Sequence, residues 1–294
     1  MPSGESPFPW VRVGHVTDTA ARTGCTVVRF DGPVVASGEV RGSAPATREF
    51  ALLDPTRTVE SVDAVALSGG SAFGLAAGSG VADALAAEGV GFETRFGVVP
   101  IVVGLSLFDL GVGDGSVRPT AADGAEALAA CASTFELGAV GAGTGATVGK
   151  WRGPEAARPG GLGWATVQRD DLVVAALIAV NAVGDLVADD LGRSVQSAIA
   201  DGSFEWPVAP SPLAENTTIG VIVTNGRFNK AQCKLLAEAG HDGMARAVIP
   251  AHGPADGDAL VAVAQPMGDG DPADLAAARL LAEVAVETAI ASVA

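Results

Sequence analysis

Asn216-Thr217-Thr218-Ile219-Gly220-Val221-Ile222-Val223, preceded by Glu215, is the stretch on which the reading of this chain turns. Pro207, Pro210 and Pro212 make the residues before it extended and loop-like, because proline fixes its own φ and restricts its predecessor. From Thr217 onward the residues are mostly apolar or β-branched, which suits a buried strand. A hydroxyl therefore stands on the first residue of a strand, with a loop peptide bond directly before it. If that bond is cut, Thr217 becomes an N-terminus with a nucleophilic hydroxyl and a basic amine on one residue. A threonine at a strand start is also ordinary, so the junction alone leaves both readings open.

Outward from this junction, strands and helices alternate without a clean βαβ rhythm. Cys25–Phe30 has β-like alternation, and Asp63–Leu67 is a short apolar strand closed by Ser68-Gly69-Gly70. Ser71 is expected to cap a helix that runs to about Ala87 and ends before Gly89. Val98–Leu107 is a buried segment in which Pro100 predicts irregularity. A helix follows near Ala121–Ser133, then a glycine-rich stretch, Gly138–Gly149, and a polar loop, Arg152–Gly163. Trp164–Arg169 and Asp171–Asn181 read as a hairpin around Asp170. No pattern is legible from Gly184 to Asn216. After a Thr217–Thr224 strand, Asn229 and Gln232 form a capping-box start for a helix reaching about Arg246. Val248–Pro250 and Ala259–Val263 read as strands flanking the turn Gly253–Asp258. Asp271 is expected to cap the C-terminal helix, with Pro272 at its first position. Several strands are apolar on both faces, which predicts a layered α/β sandwich over residues 1–294 with no clear domain break.

Composition agrees with layered packing. Of 294 residues 48% are apolar, drawn from Ala and Val more than from aromatics; Tyr is absent and Gly numbers 39. The net charge of −16 argues against nucleic-acid phosphate and anionic membrane surfaces, and favours a cationic or neutral substrate. Cys25, Cys131 and Cys233 lie far apart without metal-type spacing, so they are expected as reduced core residues in a cytoplasmic protein. Met1-Pro2-Ser3-Gly4-Glu5 lacks a basic start followed by an apolar run, and the longest apolar runs are too short to span a bilayer.

Gly141-Ala142-Gly143-Thr144-Gly145-Ala146-Thr147-Val148-Gly149-Lys150 invites a nucleotide-binding reading that fails on spacing. A phosphate loop needs Gly five residues before Gly-Lys and Ser or Thr after it; this chain has Thr144 and Trp151 there. The dinucleotide pattern has Val148 in place of its third glycine. The stretch then reads as a tight loop, with Lys150 a surface charge or a site residue. Asn216-Thr217-Thr218 also fits the glycosylation pattern, accidentally in a chain without a secretory signal. Pro254-Ala255-Asp256-Gly257-Asp258 is a turn signal whose aspartates could alternatively ligate a cation or orient an amine. His252 lies close to Asp256, but His15, His241 and His252 have no evident triad partner, and Gly-x-Ser-x-Gly is absent.

Four motifs, in order, resemble the L-aminopeptidase/D-esterase family: Ser68-Gly69-Gly70-Ser71-Ala72-Phe73-Gly74-Leu75, Gly141–Lys150, Ala179-Val180-Asn181-Ala182-Val183-Gly184 and Asn216-Thr217-Thr218-Ile219. The resemblance spans roughly residues 10 to 290. This family includes β-aminopeptidases and the endo-type nylon-oligomer (6-aminohexanoate oligomer) hydrolase. It implies a four-layer αββα sandwich like that of N-terminal-nucleophile hydrolases, with a different connectivity. It also implies self-cleavage into chains 1–216 and 217–294, and a homo-oligomer, often a tetramer of cleaved pairs.

By position, the resemblance makes Thr217 the nucleophile, Asn216 the donor of the cut bond and Asn181 an oxyanion-stabilising side chain. Lys150 matches a lysine near the nucleophile, and Asp256 and Asp258 match a pair facing it. That pair is Ser and Glu in typical β-aminopeptidases and Asp and Asp in the nylon-oligomer hydrolase. Thr217 and the Asp pair tilt this chain toward the latter. Phe73, at the substrate pocket, stands where family members carry Tyr, so a hydroxyl is missing. No metal or cofactor is implied, and the expected substrates are nylon oligomers, short peptides, β-peptides and amino-acid amides or esters. Two rivals remain: an ornithine-acetyltransferase-like acyl transferase, whose Ala-Thr-Met-Leu context is absent, and an unprocessed binding protein.

Overall fold

The computed structural model describes residues 2–205, 216–265 and 272–294. Strand β1 (Val11–Asp18) pairs antiparallel with the first half of β2 (Thr23–Val40), which contains the alternation at Cys25–Phe30. The register of β2 against Ser61–Ser68 slips between Arg29 and Val34, near Gly32 at φ +113°, a bulge that bends the strand. Strands β3 (Ala46–Arg48), β4 (Ser61–Ser68) and β5 (Val102–Ser106) extend the sheet from one side of β2. Strands β6 (Gly161–Arg169), β7 (Leu172–Val180), β8 (Ile219–Arg227) and β9 (Ala259–Gln265) extend it from the other. The order is β6-β7-β8-β9-β2-β4-β5-β3, with β1 also on β2. The pairs β8–β9 and β4–β5 are parallel and the remaining pairs antiparallel.

Side-chain alternation sorts the sheet's residues into three apolar clusters. Ala175, Leu177 and Ala179 of β7 join Val221, Val261, Val65, Leu67 and Leu105 in one cluster, fed from both ends of the sheet order. The opposite face of β7, with Val174, Ala176, Ile178 and Val180, packs with α4 (Lys230–Ala247) and α5 (Leu275–Ala291). Ala64 and Ala66 of β4 pack with α1 (Ala76–Ala87) and α2 (Ala121–Ala129). Strands apolar on both faces are thus buried on both faces. Small residues set the spacing between α1 and α2. A Cβ on Gly80 would lie 1.7 Å from the Ala121 carbonyl oxygen, and one on Gly124 would lie 2.0 Å from that of Ala77.

Most expected elements form, with instructive shifts. Asp170, at φ +52°, turns the β6–β7 hairpin, and the Asn229–Gln232 capping box opens α4. Thr217 and Thr218 precede β8, which starts at Ile219. Val98–Leu107 divides at Pro100: Gly97–Val99 pairs with Phe92–Thr94 in a separate ribbon, while Val102–Ser106 joins the main sheet. Ser71 does not cap α1. It sits at φ +54° and opens a tight turn, Ser71–Leu75, before the α-helix starts at Ala76; the helix then ends at Ala87 as expected. The C-terminal helix is capped by Asp274, whose carboxylate accepts from the Ala276 and Ala277 amides. Asp271, Glu215 and the three prolines before the junction lie outside the described residues. The patternless region holds a helix, α3 (Asp190–Asp201), capped by Asp189. Leu191, Val195, Ala198 and Ile199 recur on it at helical spacing, a stripe that the sequence reading passes over, and of these only Val195 is buried while Leu191 and Ile199 stay exposed. Among the described residues, no helix is long and apolar enough to cross a membrane.

Candidate active site

Register brings the predicted residues together. Ala259 of β9 lies beside Ile219 of β8, and Ile219 lies opposite Ala179 of β7. Residues just before β8, just before β9 and just after β7 therefore meet at one end of the sheet. These are Asn216–Thr218, Asp256–Asp258 and Asn181. The Thr217 amide donates to the Asn181 carbonyl oxygen (2.9 Å), and the Thr218 amide donates to Asp258 Oδ1 (2.7 Å). The Thr217 hydroxyl donates to the carbonyl oxygen of Asn216, within the expected scissile unit. The end of β2 closes the group, since the Ala44 amide donates to the Asp256 carbonyl (2.8 Å) and Arg41 and Gly42 donate to that of Asp258. Gly257 is required by this crowding: a Cβ there would lie 2.6 Å from both Thr217 Oγ1 and the Ala44 oxygen.

Lys150 opens a short turn, Lys150–Arg152, after Gly149 at φ +78°. Its Nζ donates to Asn181 Oδ1 (2.8 Å) and to the Asn181 carbonyl (3.3 Å), the oxygen that also takes the Thr217 amide. Asn181 is fully buried. Its Oδ1 also accepts from the Thr147 amide (2.9 Å), and its Nδ2 donates to the Phe108 carbonyl (2.8 Å), so the network fixes the amide's orientation. Asp185 braces the Lys150 turn by accepting from Trp151 Nε1 (2.9 Å) and Arg158 (2.8 Å). Phe73 stands apart from this buried group, 61% exposed, with the Arg118 guanidinium 4.1 Å from its ring centroid.

Two acidic groups are shifted by the surroundings. Burial, reinforced by the charge of Asp258, pushes the Asp256 carboxyl up to about 7 against the pull of the Gly253 amide, Lys150 and His252. Burial likewise raises Asp109, opposed by the Gly70 amide, the Thr23 hydroxyl and Lys150. The buried oxygens Asn216 Oδ1, Thr218 Oγ1 and Asp256 Oδ1 have no hydrogen-bond partner among the described residues. Among those residues no cluster of three or more His, Cys, Asp and Glu could hold a metal ion.

Sequence reasoning missed two members of this neighbourhood. His252 pairs with Asp258 (2.8 Å) rather than with Asp256, its nearer neighbour in sequence. Asp109, after β5, accepts from Gly70 and from Thr23 at the start of β2 (2.7 Å each), a link between distant segments that no spacing reveals.

The profile of peptidase family S58 matches residues 8–293. The chain belongs to this family. Membership agrees with the L-aminopeptidase/D-esterase motifs and makes the chain an amide-bond hydrolase by family. This S58 chain is 40% identical over 261 residues to an uncharacterized aminopeptidase of Mycobacterium leprae, covering 82% of this chain and 70% of that one. It is 30% identical over 272 residues to the 6-aminohexanoate-oligomer endohydrolase of Paenarthrobacter ureafaciens, covering 87% and 73%. Its fold is similar to that of the L-aminopeptidase D-Ala-esterase/amidase from Ochrobactrum anthropi. That likeness has a TM-score of 0.74 at 19% identity and covers 100% of this chain and 87% of the other, which is described as a new variant among N-terminal-nucleophile hydrolase folds. A Burkholderia sp. β-aminopeptidase gives a TM-score of 0.70 at 22% identity, over 99% and 87%.

Proposed function

We propose that this chain is a self-processing amide hydrolase whose nucleophile is Thr217. The observation that carries the reading is the set of bonds at the junction: the Thr217 hydroxyl on the Asn216 carbonyl, and the Thr217 amide and Lys150 ammonium on one Asn181 oxygen. In the first step Thr217 Oγ attacks the carbonyl carbon of Asn216, and the acyl group moves from nitrogen to oxygen. Water cleaves the ester, leaving Asn216 as a carboxylate and Thr217 with a free amine and a free hydroxyl. That amine then takes the hydroxyl proton when Thr217 attacks a substrate amide. An ordinary α-amino group titrates near 7.7–8.0. Lys150, sharing its acceptor, would lower that value by like-charge repulsion, and Asp256 and Asp258 would raise it.

The Asn181 amide is read as the oxyanion donor, a role that contributes about 3–4 kcal/mol where it has been tested. The β-branch of Thr217 limits the rotamers of its hydroxyl. Asp256 and Asp258 supply the acidic wall. The three apolar clusters are read as the three interfaces of a four-layer αββα sandwich, and the assembly as a cytoplasmic homo-oligomer of cleaved pairs. The substrate class is a short amide with a small acyl part and a cationic amine, drawn to the acidic wall. Peptides, β-peptides, amino-acid amides and 6-aminohexanoate oligomers all meet that description, and a panel of them assayed on matured protein would rank them.

Denaturing mass spectrometry tests the reading. The active protein should give two chains, 1–216 and 217–294, and Thr217→Ala should give one uncleaved, inactive chain. Amide turnover by an intact wild-type chain, or by the Thr217→Ala variant, would overturn it.

A further inference from the structure

Behind the junction, a polar chain runs from Asp258 to His252 and His241, two groups that the proposed chemistry does not use. Asp258 Oδ1 holds the Thr218 amide (2.7 Å), one residue after the expected nucleophile. Its Oδ2 meets His252 Nδ1 (2.8 Å) and the His252 amide (3.3 Å). The far side of the ring, Nε2, faces the backbone carbonyl of His241 (3.3 Å). A carbonyl only accepts, so Nε2 carries a hydrogen. Both carboxyl oxygens accept backbone amides, so Oδ2 faces Nδ1 as an acceptor. Nδ1 must then carry a hydrogen too. A ring with both nitrogens protonated is an imidazolium, and the pair is a largely buried His⁺–Asp⁻ couple, with side chains 16% and 4% exposed.

We propose that His252 is a positioning residue whose imidazolium holds Asp258 ionised on the Thr218 amide and so leaves the one exchangeable proton of the aspartate pair on Asp256. The inference rests on the reading of Thr217 as nucleophile. It gives the two carboxylates of one turn different states: Asp258 is the fixed acceptor that sets the backbone beside the nucleophile, and Asp256 is the group that can exchange a proton at neutral pH. Environments that push two neighbouring carboxyls apart are how acid and base roles are divided.

Charged groups reach this couple from every side. Asp256 and Asp258 lie on the same loop, His241 approaches from α4 and Arg41 follows β2. Burial opposes the charge on His252, but its hydrogen bond and attraction to Asp258 outweigh this and raise it above the ordinary histidine value; Arg41 opposes weakly. His241 stacks edge-on at 5.0 Å, and burial lowers it to about 4, so it adds no second cation at neutral pH. Lys150 and His252 both lower Asp256.

The test uses two readouts. The chain has three histidines, and burial also lowers His15 to about 4. Nitrogen-detected imidazole spectra of wild-type protein should therefore show one histidine titrating above about pH 6.5, with both ring nitrogens protonated below that point. A neutral, single-tautomer His252 at about pH 6 would overturn the proposal. The second readout is His252→Gln, which keeps one hydrogen bond and removes the charge. Self-cleavage and kcat should fall about 10- to 100-fold with KM nearly unchanged. The break that Asp256 sets near pH 7 should move to higher pH, because a cation that lowered it is gone.

A variant with the wild-type pH profile, whether or not its Tm falls, would mark His252 as merely structural and overturn the proposal. Failure of the Thr217 reading shows separately, as an intact active wild-type chain, and leaves the spectra to decide the state of His252.

Discussion

Gly257 shows how closely single residues are matched at the junction. It separates the two aspartates and lies beside Thr217, where a Cβ would sit 2.6 Å from the threonine hydroxyl and from the Ala44 carbonyl. Both contacts are too short for carbon, so Gly257→Ala must displace the hydroxyl or the loop. Displacing a reacting group by about 1 Å costs on the order of 100-fold in rate. Self-cleavage followed by mass spectrometry should slow by that order, with a stability loss of about 1–3 kcal/mol from overpacking. Cleavage at the wild-type rate would contradict the tight seat of the hydroxyl. At this scale the sequence was legible through motif: the resemblance named Thr217, Asn181 and Asp258 together, and strand register brings them to one end of the sheet. His252 was visible but assigned no partner, because its ring reaches the aspartate six positions away rather than the nearer one. Asp109 was illegible, since its partners Thr23, at the start of β2, and Gly70, after β4, are distant in sequence.

At the scale of elements, α4 carries a conflict and its resolution in one turn. Lys230 is its first residue, where a cation opposes the helix dipole. Its ammonium, in a side chain withdrawn from solvent, donates to the carbonyls of Leu52 (2.7 Å), Arg57 (3.1 Å) and Val59 (2.6 Å), tying the segment after Phe50–Leu53 to the helix. Burial lowers its pKa, and Asp54 and Glu60 partly restore it. Lys230→Met removes the donor and leaves three carbonyls unserved, a loss of about 1–3 kcal/mol. Urea unfolding should show a lower midpoint with an unchanged slope. An unshifted midpoint would mean that water replaces the ammonium without loss. Elements were legible where local chemistry fixes them: the Asn229–Gln232 box and the Asp170 turn need only neighbours in sequence. Helix α3 was missed although Leu191, Val195, Ala198 and Ile199 keep helical spacing, because the stripe is short and the charged and polar residues around it lower its mean hydropathy. The cap of α5 is Asp274 rather than Asp271: both aspartates precede the same apolar run in sequence, and Asp274 accepts from the Ala276 and Ala277 amides.

For the whole molecule, the bend in β2 and the three apolar clusters decide whether the chain unfolds as one unit. No pattern in the sequence shows that β2 links the two ends of the sheet order, because its two halves pair with strands hundreds of positions apart or immediately adjacent. The cysteines report on this directly. Cys25 lies in the cluster with α1 and α2, Cys131 packs against it, and Cys233 lies in the cluster with α4 and α5. Burial pushes each thiol up to about 12, so thiolate is scarce near pH 8; Cys25 and Cys233 are buried and Cys131 is half-buried. A disulfide reagent at about pH 8 should label none of them in native protein. In rising urea all three should become reactive over one transition, coincident with the loss of helical signal, if the chain is one cooperative unit. The proposed cut makes the readout clean, because Cys25 and Cys131 fall on chain 1–216 and Cys233 on chain 217–294. Earlier labelling of the small chain would mean that the α4–α5 face opens on its own. In that case the ties that fail first are the β7–β8 and β9–β2 pairs that join the two chains, and the active site at their end would be the weakest seam of the fold rather than its centre.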